Sequence, residues 1–147
     1  MEEIKIIKEK INQIIDKFYQ KDKELLEYQN QYNTIAERCI AFRLGIYFQE
    51  SFSEYNVDCE YNRDMYIVKT IDEKKVYPDI IVHKRKTSDN LIWVEIKKEN
   101  ARKTQIDKDR KRLKKVTVDK YKYGILIIIS NSKDNVQIEY YKNGDEI

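Results

Sequence analysis

Two acids and one lysine interrupt a pair of strongly apolar strand candidates in residues 77–98, YPDIIVHKRKTSDNLIWVEIKK. Because side chains alternate along a strand, Glu95 and Lys97 are expected on the same face. A hairpin through the polar turn between the strands brings Asp79 opposite Glu95. Burying such charges without partners costs roughly several kcal/mol, so the arrangement requires a compensating cation or a functional reason.

The chemistry that uses these residue types is metal-dependent cleavage of phosphodiester bonds. Carboxylate oxygens suit Mg²⁺, which binds through one or two protein acids and substrate phosphate while keeping several waters. The metal lowers the pKa of a bound water and neutralises charge on the phosphate, and a nearby lysine can orient or help deprotonate that water. Asp79, Glu95 and Lys97 therefore form a minimal hydrolytic set.

The context of the acid-x-lysine pattern distinguishes this copy from others in the chain. The same pattern also occurs at Glu3/Lys5, Asp72/Lys74 and Glu73/Lys75. Those copies lie on a predicted polar helix or in a turn. Glu95 and Lys97, in contrast, interrupt an apolar strand that a Pro-Asp strand precedes.

In this order and context, the PD at 78–79 and the EIK at 95–97 resemble the signature of the PD-(D/E)xK nuclease superfamily. The shared core of that superfamily is the restriction-endonuclease-like α/β fold. The resemblance covers about residues 33–130. It implies a nuclease whose products carry a 5′-phosphate and a 3′-hydroxyl.

The resemblance also implies a role for each site residue. Asp79, Glu95 and the carbonyl of Ile96 would hold Mg²⁺, for which Mn²⁺ substitutes. Lys97 would activate water. Members of the superfamily often carry a further acid on a helix before the sheet, and Glu37 matches it as support for this metal or a second one.

Ordinary structural explanations of these residues are open as well. Asp79 could cap a turn while the acid and the lysine of the second strand form an exposed ion pair, which stabilises little. Glu37 could pair with an arginine at the helix margin, such as Arg38 or Arg43. These alternatives involve no catalysis.

An N-terminal helix is predicted over about residues 1–30. Apolar residues spaced three and four apart run from Ile4 to Tyr32, with Lys21 as the one polar residue in the stripe. Heptad spacing suits pairing with a second copy or with a partner protein. The stripe could equally cover the protein's own sheet.

The remaining elements predict an α/β fold in which helices flank a mixed central β-sheet. A second helix from about Asn33 to Glu50 places Glu37 on its apolar face, because apolar residues follow it at helical spacing. A basic helix is expected from about Thr104 to Asp119. The predicted strands are VDCEY, MYIVKTI, VYPDIIVHK, LIWVEIKK, YGILIIIS and VQIEYY. The unbroken apolar run YGILIIIS is typical of a strand covered on both faces.

Length indicates one domain, and the uneven distribution of basic residues, not the total charge, favours a nucleic-acid partner. The chain has 147 residues, a common size for a single domain, here 1–147. Its net charge is only +3, from 29 basic and 26 acidic residues, but basic residues are concentrated at 97–122. Polar and basic side chains of the third helix would contact phosphates or form a solvated face: Gln105, Lys108, Lys111, Arg112, Lys114 and Lys115. DNA is favoured over RNA as the polymer, and the sequence does not distinguish the two directly.

The cysteines and the histidine indicate no second active site. Cys39 and Cys59 form no zinc-ligand pattern and are predicted to be reduced core residues. Strand alternation places His83 and Arg85 on the face of Asp79, where His83 would contact phosphate or be an ordinary hydrogen-bonded histidine. No apolar stretch approaches the length of a membrane span, so a cytoplasmic protein without membrane contact is expected.

The sequence supports two candidate functions. The first is a Mg²⁺-dependent nuclease with Asp79, Glu95, Lys97 and Glu37 at its centre. The second is a non-catalytic protein of the same fold, which binds nucleic acid or serves as a scaffold subunit in a larger complex, since fold does not imply function.

Overall fold

Two α-helices, five strands, a third α-helix and three more strands follow one another along the part of the chain that the computed structural model describes, residues 2–26, 33–60, 70–71, 74–75 and 77–147. Residues 33–36, 70–71 and 74–75 are described by their backbone alone. The α-helices are α1 (Glu2–Lys21), α2 (Asn33–Ser51) and α3 (Lys103–Asp119). The strands are β1 (Asn56–Cys59), β2 (Thr70–Ile71), β3 (Lys74–Lys75), β4 (Ile80–His83), β5 (Asn90–Lys98), β6 (Tyr123–Ile129), β7 (Gln137–Lys142) and β8 (Asp145–Glu146).

Six of these strands form one mixed sheet in the order β1-β4-β5-β6-β7-β8. Only β5 and β6 pair in parallel, because α3 connects them as a crossover, and the other neighbours are antiparallel. Strands β2 and β3 pair separately. The predicted α/β class with a mixed sheet is therefore confirmed.

Helices cover both faces of the sheet. Helices α1 and α2 pack on one face, whose core includes Ile80, Val94 and Ile125, and α3 packs on the other, whose core includes Trp93 and Leu126. Every residue of β6 is buried, which confirms the prediction for its apolar run.

Gly124 in β6 allows α3 to approach the sheet closely. A Cβ atom at this position would lie 3.0 Å from Leu113 Cδ2 and 3.1 Å from Thr117 Cγ2. Such contacts are tighter than packed side chains normally make, so a larger residue would push the helix outward. The distance of α3 from the sheet matters because this helix carries two residues of the candidate site.

Helix α1 ends earlier than predicted. It stops at Lys21, and a 3₁₀ turn follows at Lys23–Leu26. Between them Asp22 turns inward, where its carboxylate accepts a hydrogen bond from Arg43 Nε at 2.9 Å and another from the Tyr47 hydroxyl. This buried contact to α2 redirects the chain. The last positions of the predicted stripe, Tyr28 and Tyr32, lie outside the described residues.

The apolar stripe of α1 is covered by the protein itself. Ile7, Ile11, Ile14 and Phe18 are buried in the core that α1 shares with α2 and the sheet. Of the two interpretations, self-covering is thus confirmed for these residues. Pairing with a second chain through the same residues would require them to leave this core.

The predicted core location of the cysteines is wrong. Cys39 and Cys59 are both free, and both residues are exposed. On α2 the buried face belongs to Ile40 and Leu44, so the residue before Ile40 points away from the core. None of the described helices has both the length and the apolar character needed to cross a membrane.

Candidate active site

The β4–β5 hairpin brings the two predicted acids together. Its register pairs Ile80 with Val94, which places Asp79 opposite Glu95 one step further along. Asp79 Oδ2 accepts a hydrogen bond from the Ile96 N–H at 2.7 Å, and the carboxyls of Asp79 and Glu95 are close enough for each to change the pKa of the other. Asp79 is therefore a cross-strand partner of β5 and does not cap a turn.

Glu95 is almost completely buried, and its compensating cation comes from α3. The residue is 2% exposed. Its Oε1 atom accepts hydrogen bonds from Trp93 Nε1 and Arg112 Nη1, each at 2.9 Å. The sequence required a partner for this carboxyl but did not identify Arg112 as that partner.

Lys97 lies on the same strand face as Glu95 but pairs with a different acid. Its Nζ atom is 3.0 Å from Asp109 Oδ2 on α3, and the Asp109 side chain is only 6% exposed. A contact of 3.5 Å from Nζ to the carbonyl of Ile96 is too long to be a strong hydrogen bond. The alternative of an ion pair between Glu95 and Lys97 within the strand is therefore wrong.

Asp109 and Arg112 are the site residues that sequence reasoning missed. They lie three positions apart on α3, with Arg112 Nη1 at 3.7 Å from Asp109 Oδ1. The sequence did contain a signal for Asp109. It precedes Leu113 by four positions and Val116 by seven, which places all three on the buried face of α3. The same test identified Glu37 on α2. Applied to α3, it would have found Asp109.

Glu37 approaches the site from α2, on the other side of the sheet. Its half-buried carboxyl and Asp79 line one pocket of about 410 Å³. Burial raises the pKa of Glu37, Lys97 opposes this effect and Asp79 adds to it, so the three groups are electrostatically linked. The structure thus brings Glu37 to the mouth of the site.

Neither arginine considered as a partner of Glu37 pairs with it. Arg38 lies 3.7 Å from Glu60, and Arg43 forms its ion pair with Asp22. Within the described residues Glu37 makes no salt bridge. The alternative in which an arginine explains this inward-facing acid is therefore wrong for Arg38 and Arg43.

The site contains more carboxyls than cations. The carboxyls are Glu37, Asp79, Glu95 and Asp109, and the cations are Lys97, Lys98 and Arg112. With every group ionised, the negative charges outnumber the positive ones in a mostly buried volume. The raised pKa values of Glu95 and Asp79 mean that this pair retains a proton more readily than exposed carboxyls do.

The pKa values of the carboxyls follow from this excess. Burial, together with the charges of Asp79 and Asp109, raises the pKa of Glu95 to about 8, against the opposing bonds from Trp93 and Arg112. Burial also raises the pKa of Asp79, against the Ile96 N–H and Lys97. For Lys97 burial disfavours the charge, but the surrounding acids outweigh it and raise the pKa.

We expect Glu95→Gln to reduce the loss of stability with rising pH. The pKa of Glu95 rises from 4.5 in the unfolded chain to about 8 in the folded protein. At pH values between these two, the folded protein therefore binds more protons than the unfolded chain. Stability must then fall as pH rises through this window, by at most about 1.4 kcal/mol per pH unit. Gln keeps the acceptor for Trp93 and Arg112 but cannot ionise. Denaturant unfolding of both proteins at several pH values between about 5 and 9 measures the two slopes. Equal slopes would contradict the assignment.

His83, the last residue of β4, and Arg85 after it form a separate ion-pair cluster with Asp58 on β1. His83 Nε2 lies 2.7 Å from Asp58 Oδ2, and Arg85 Nε donates to the same oxygen at 2.9 Å. A register irregularity between Val82 and His83 interrupts the simple alternation from Asp79. The interpretation of His83 as an ordinary hydrogen-bonded histidine is confirmed by this contact.

Most of the basic side chains of α3 are exposed. Gln105, Lys108, Lys111, Lys114 and Lys115 face solvent. Arg112 is the exception to the predicted set, because it is half-buried and bonded to Glu95. The exposed lysines form the outer surface of the helix whose inner surface contacts the site.

As placed, the carboxyls do not form a complete ligand cage. Among the described residues, no three His, Cys, Asp or Glu side chains are grouped closely enough to hold a metal ion. Of the predicted set, Asp79 and Glu95 are in contact, and Glu37 acts on Asp79 through its charge. No protein-family model, curated protein or solved structure matches this chain.

Proposed function

We propose that this protein is a Mg²⁺-dependent nuclease that hydrolyses phosphodiester bonds, with DNA favoured over RNA as the substrate. The observation that carries the proposal is the placement of Asp79, directly before β4, opposite Glu95 on β5. Lys97 lies on the same face of the sheet, and Asp79 lines a pocket together with Glu37. This arrangement of acids and lysine matches the chemistry that hydrolysis of a phosphodiester requires.

The donor chemistry of the site fits Mg²⁺. Two adjacent carboxyls, Asp79 and Glu95, and the carbonyl of Ile96 supply the hard oxygens that this ion prefers, and Mn²⁺ accepts the same donors. Glu37 would support the ion from the pocket side. When bound, the metal would lower the pKa of a water and stabilise charge on the phosphate.

Lys97 would orient the reacting groups. Its ammonium is held by Asp109 at 3.0 Å on the face that also carries Glu95. An ammonium has three donors and no acceptor, so it can donate to the attacking water or to a phosphate oxygen. Its placement in a half-buried site strengthens such a bond relative to one in bulk water.

The excess of carboxyls in the site favours binding of a divalent cation. Glu37, Asp79, Glu95 and Asp109 outnumber the two cations that pair with acids of this set, Lys97 and Arg112. A divalent cation would offset this excess of negative charge, which is costly in a buried site. A negatively charged phosphodiester would then approach the site without repulsion.

The connectivity supports a restriction-endonuclease-like core. Helix α2 carries an acid ahead of the sheet, the β4–β5 hairpin carries the Asp, Glu and Lys, and α3 followed by β6 comes after the lysine. This is the order that the resemblance to PD-(D/E)xK nucleases implies. Exposed lysines on α3, such as Lys108, Lys111 and Lys114, would bind backbone phosphates in a salt-sensitive manner.

The proposal predicts cleavage that depends on the metal and on Asp79. End-labelled single- and double-stranded DNA and RNA are incubated with the protein in Mg²⁺, Mn²⁺ or EDTA. We expect cleavage with either metal, none in EDTA, and none in Asp79→Asn, because both changes remove the charge that activates water. The exposed Asp119→Asn serves as the matched control and retains activity. Cleavage that persists in EDTA would contradict a metal-dependent mechanism.

One observation favours the second candidate, a non-catalytic protein of the same fold. Arg112 already compensates the charge of Glu95, so this carboxyl has a partner without a metal ion. Calorimetric titration with Mg²⁺ and Mn²⁺ separates the two functions. Heat of binding in the wild type that Asp79→Ala abolishes supports the nuclease. No binding to either protein, and no cleavage of any polymer, supports the scaffold.

A further inference from the structure

Helix α3 presents two opposite charges to the site from a single turn. Asp109 contacts Lys97 and Arg112 contacts Glu95, so the four side chains alternate in sign. The distances along this series are 2.9 Å from Glu95 to Arg112, 3.7 Å from Arg112 to Asp109 and 3.0 Å from Asp109 to Lys97. All four are buried or half-buried, so these contacts are weakly screened by solvent.

Asp109 is the group that fixes the position of the Lys97 ammonium. Within the described residues, the other close contact of Nζ is the carbonyl of Ile96 at 3.5 Å, which is at the limit of a hydrogen bond. A lysine side chain has four rotatable bonds and loses considerable entropy when it is held in one position. Without Asp109, this flexible chain would have no strong contact to hold it beside Asp79.

The carboxylate of Asp109 is buried, and Lys97 is the nearer of the two cations that contact it. The Asp109 side chain is 6% exposed and faces inward from α3, and its Oδ2 atom has the ion pair with Lys97 but no hydrogen bond of good geometry in the described part of the chain. A carboxylate in such a position is costly to bury unless a cation accompanies it. Its presence therefore indicates a specific use of the Lys97 contact.

We propose that Asp109 is a positioning residue that holds the Lys97 ammonium at the Asp79 side of the site, so that Lys97 meets the scissile phosphate in a fixed orientation. This inference rests on the proposed nuclease function for its catalytic meaning. The pairing itself does not depend on that function. Asp109 acts through Lys97 and does not touch the substrate.

The kinetic test compares Asp109→Asn with Asp107→Asn. Asp107 is an acid on the same helix that pairs with Arg110 at 2.9 Å, outside the site. We expect Asp109→Asn to lower kcat about 10- to 100-fold with little change in KM, as a small misplacement of a reacting group does. Asp107→Asn remains within about twofold of the wild type in kcat, because it leaves Lys97 in place. Asp109→Glu, which keeps the charge but shifts it by one methylene, gives an intermediate loss.

A mutant cycle separates positioning from general structural support. If Asp109 acts through Lys97, Asp109→Asn causes no further loss of cleavage when it is added to Lys97→Ala. An equal loss in both backgrounds would show that Asp109 only supports the fold and would overturn the inference.

Nitrogen-15 NMR of the lysine ammonium tests the pairing without any activity. We expect the Lys97 resonance to be protected from solvent exchange in the wild type and in Asp107→Asn, and to lose protection in Asp109→Asn. Protection that persists in Asp109→Asn would overturn the inference. An inactive wild type whose Lys97 shows the expected pattern would reject the proposed function and retain the pairing.

Discussion

Lys97→Ala is expected to reduce metal-dependent cleavage by at least about 100-fold while the protein stays folded. A positioned donor that stabilises the charge developing in the transition state typically contributes about 10²- to 10³-fold to the rate. The substitution removes the only basic side chain that β5 places on the face of Glu95 in the described site. Single-turnover cleavage of labelled DNA measures this loss directly.

Two controls show whether Lys97→Ala impairs the chemical step itself. Lys5→Ala changes an exposed lysine on α1, far along the chain from the site, and retains the wild-type rate. Calorimetry with Mg²⁺ shows whether Lys97→Ala still binds the metal, as it should if Asp79 and Glu95 are the ligands. Full cleavage activity in Lys97→Ala would count decisively against the nuclease.

Arg112→Met is expected to destabilise the fold by about 2–3 kcal/mol near neutral pH. The substitution keeps an aliphatic side chain but removes the charged donor to Glu95, and a hydrogen bond to a charged group is worth about 1.5–3 kcal/mol. Loss of one partner from a fully buried pair costs more, about 3–5 kcal/mol. The smaller value applies here, because Arg112 is about a third exposed and Glu95 can take up a proton instead.

The reason for this loss is tested by a second substitution. In Glu95→Gln the arginine no longer faces a carboxyl, so Arg112→Met should cost less in this background than in the wild type. The loss in the wild type should also grow with pH, because an unpaired Glu95 is harder to keep ionised. Lys111→Met, an exposed change on the same helix, is the control for helix propensity. Denaturant unfolding measures the four proteins of this cycle and the Lys111→Met control, and equal costs in both backgrounds would contradict the Arg112–Glu95 pairing.

The contact between Arg112 and Glu95 also helps to distinguish the nuclease from the non-catalytic scaffold. Arg112 and a metal ion would compete for the negative charge of Glu95, so the same substitution that destabilises the metal-free protein should leave its carboxyls freer for Mg²⁺. A nuclease would therefore show tighter Mg²⁺ binding in Arg112→Met by calorimetry. A scaffold protein would show no binding in either form.

The sequence by itself determined the face on which each predicted site residue lies. Period-two alternation in β4 and β5 correctly predicted that Asp79 lies opposite Glu95 and that Glu95 and Lys97 share a face. Helical spacing correctly predicted that Glu37 points inward from α2. These properties depend on backbone geometry within one element or one hairpin, which a local pattern of residues records.

The tertiary structure alone decided which charges meet. Glu95 pairs with Arg112, seventeen positions away on α3, and not with its strand neighbour Lys97, which pairs with Asp109. The early end of α1 likewise depends on a contact across elements, from Asp22 to Arg43. Alternation specifies the face on which a side chain lies, but its partner depends on the distance and rotation of the element packed over that face. Those quantities are set by core packing between segments far apart in the chain, such as Leu113 against Gly124, and no local pattern contains them.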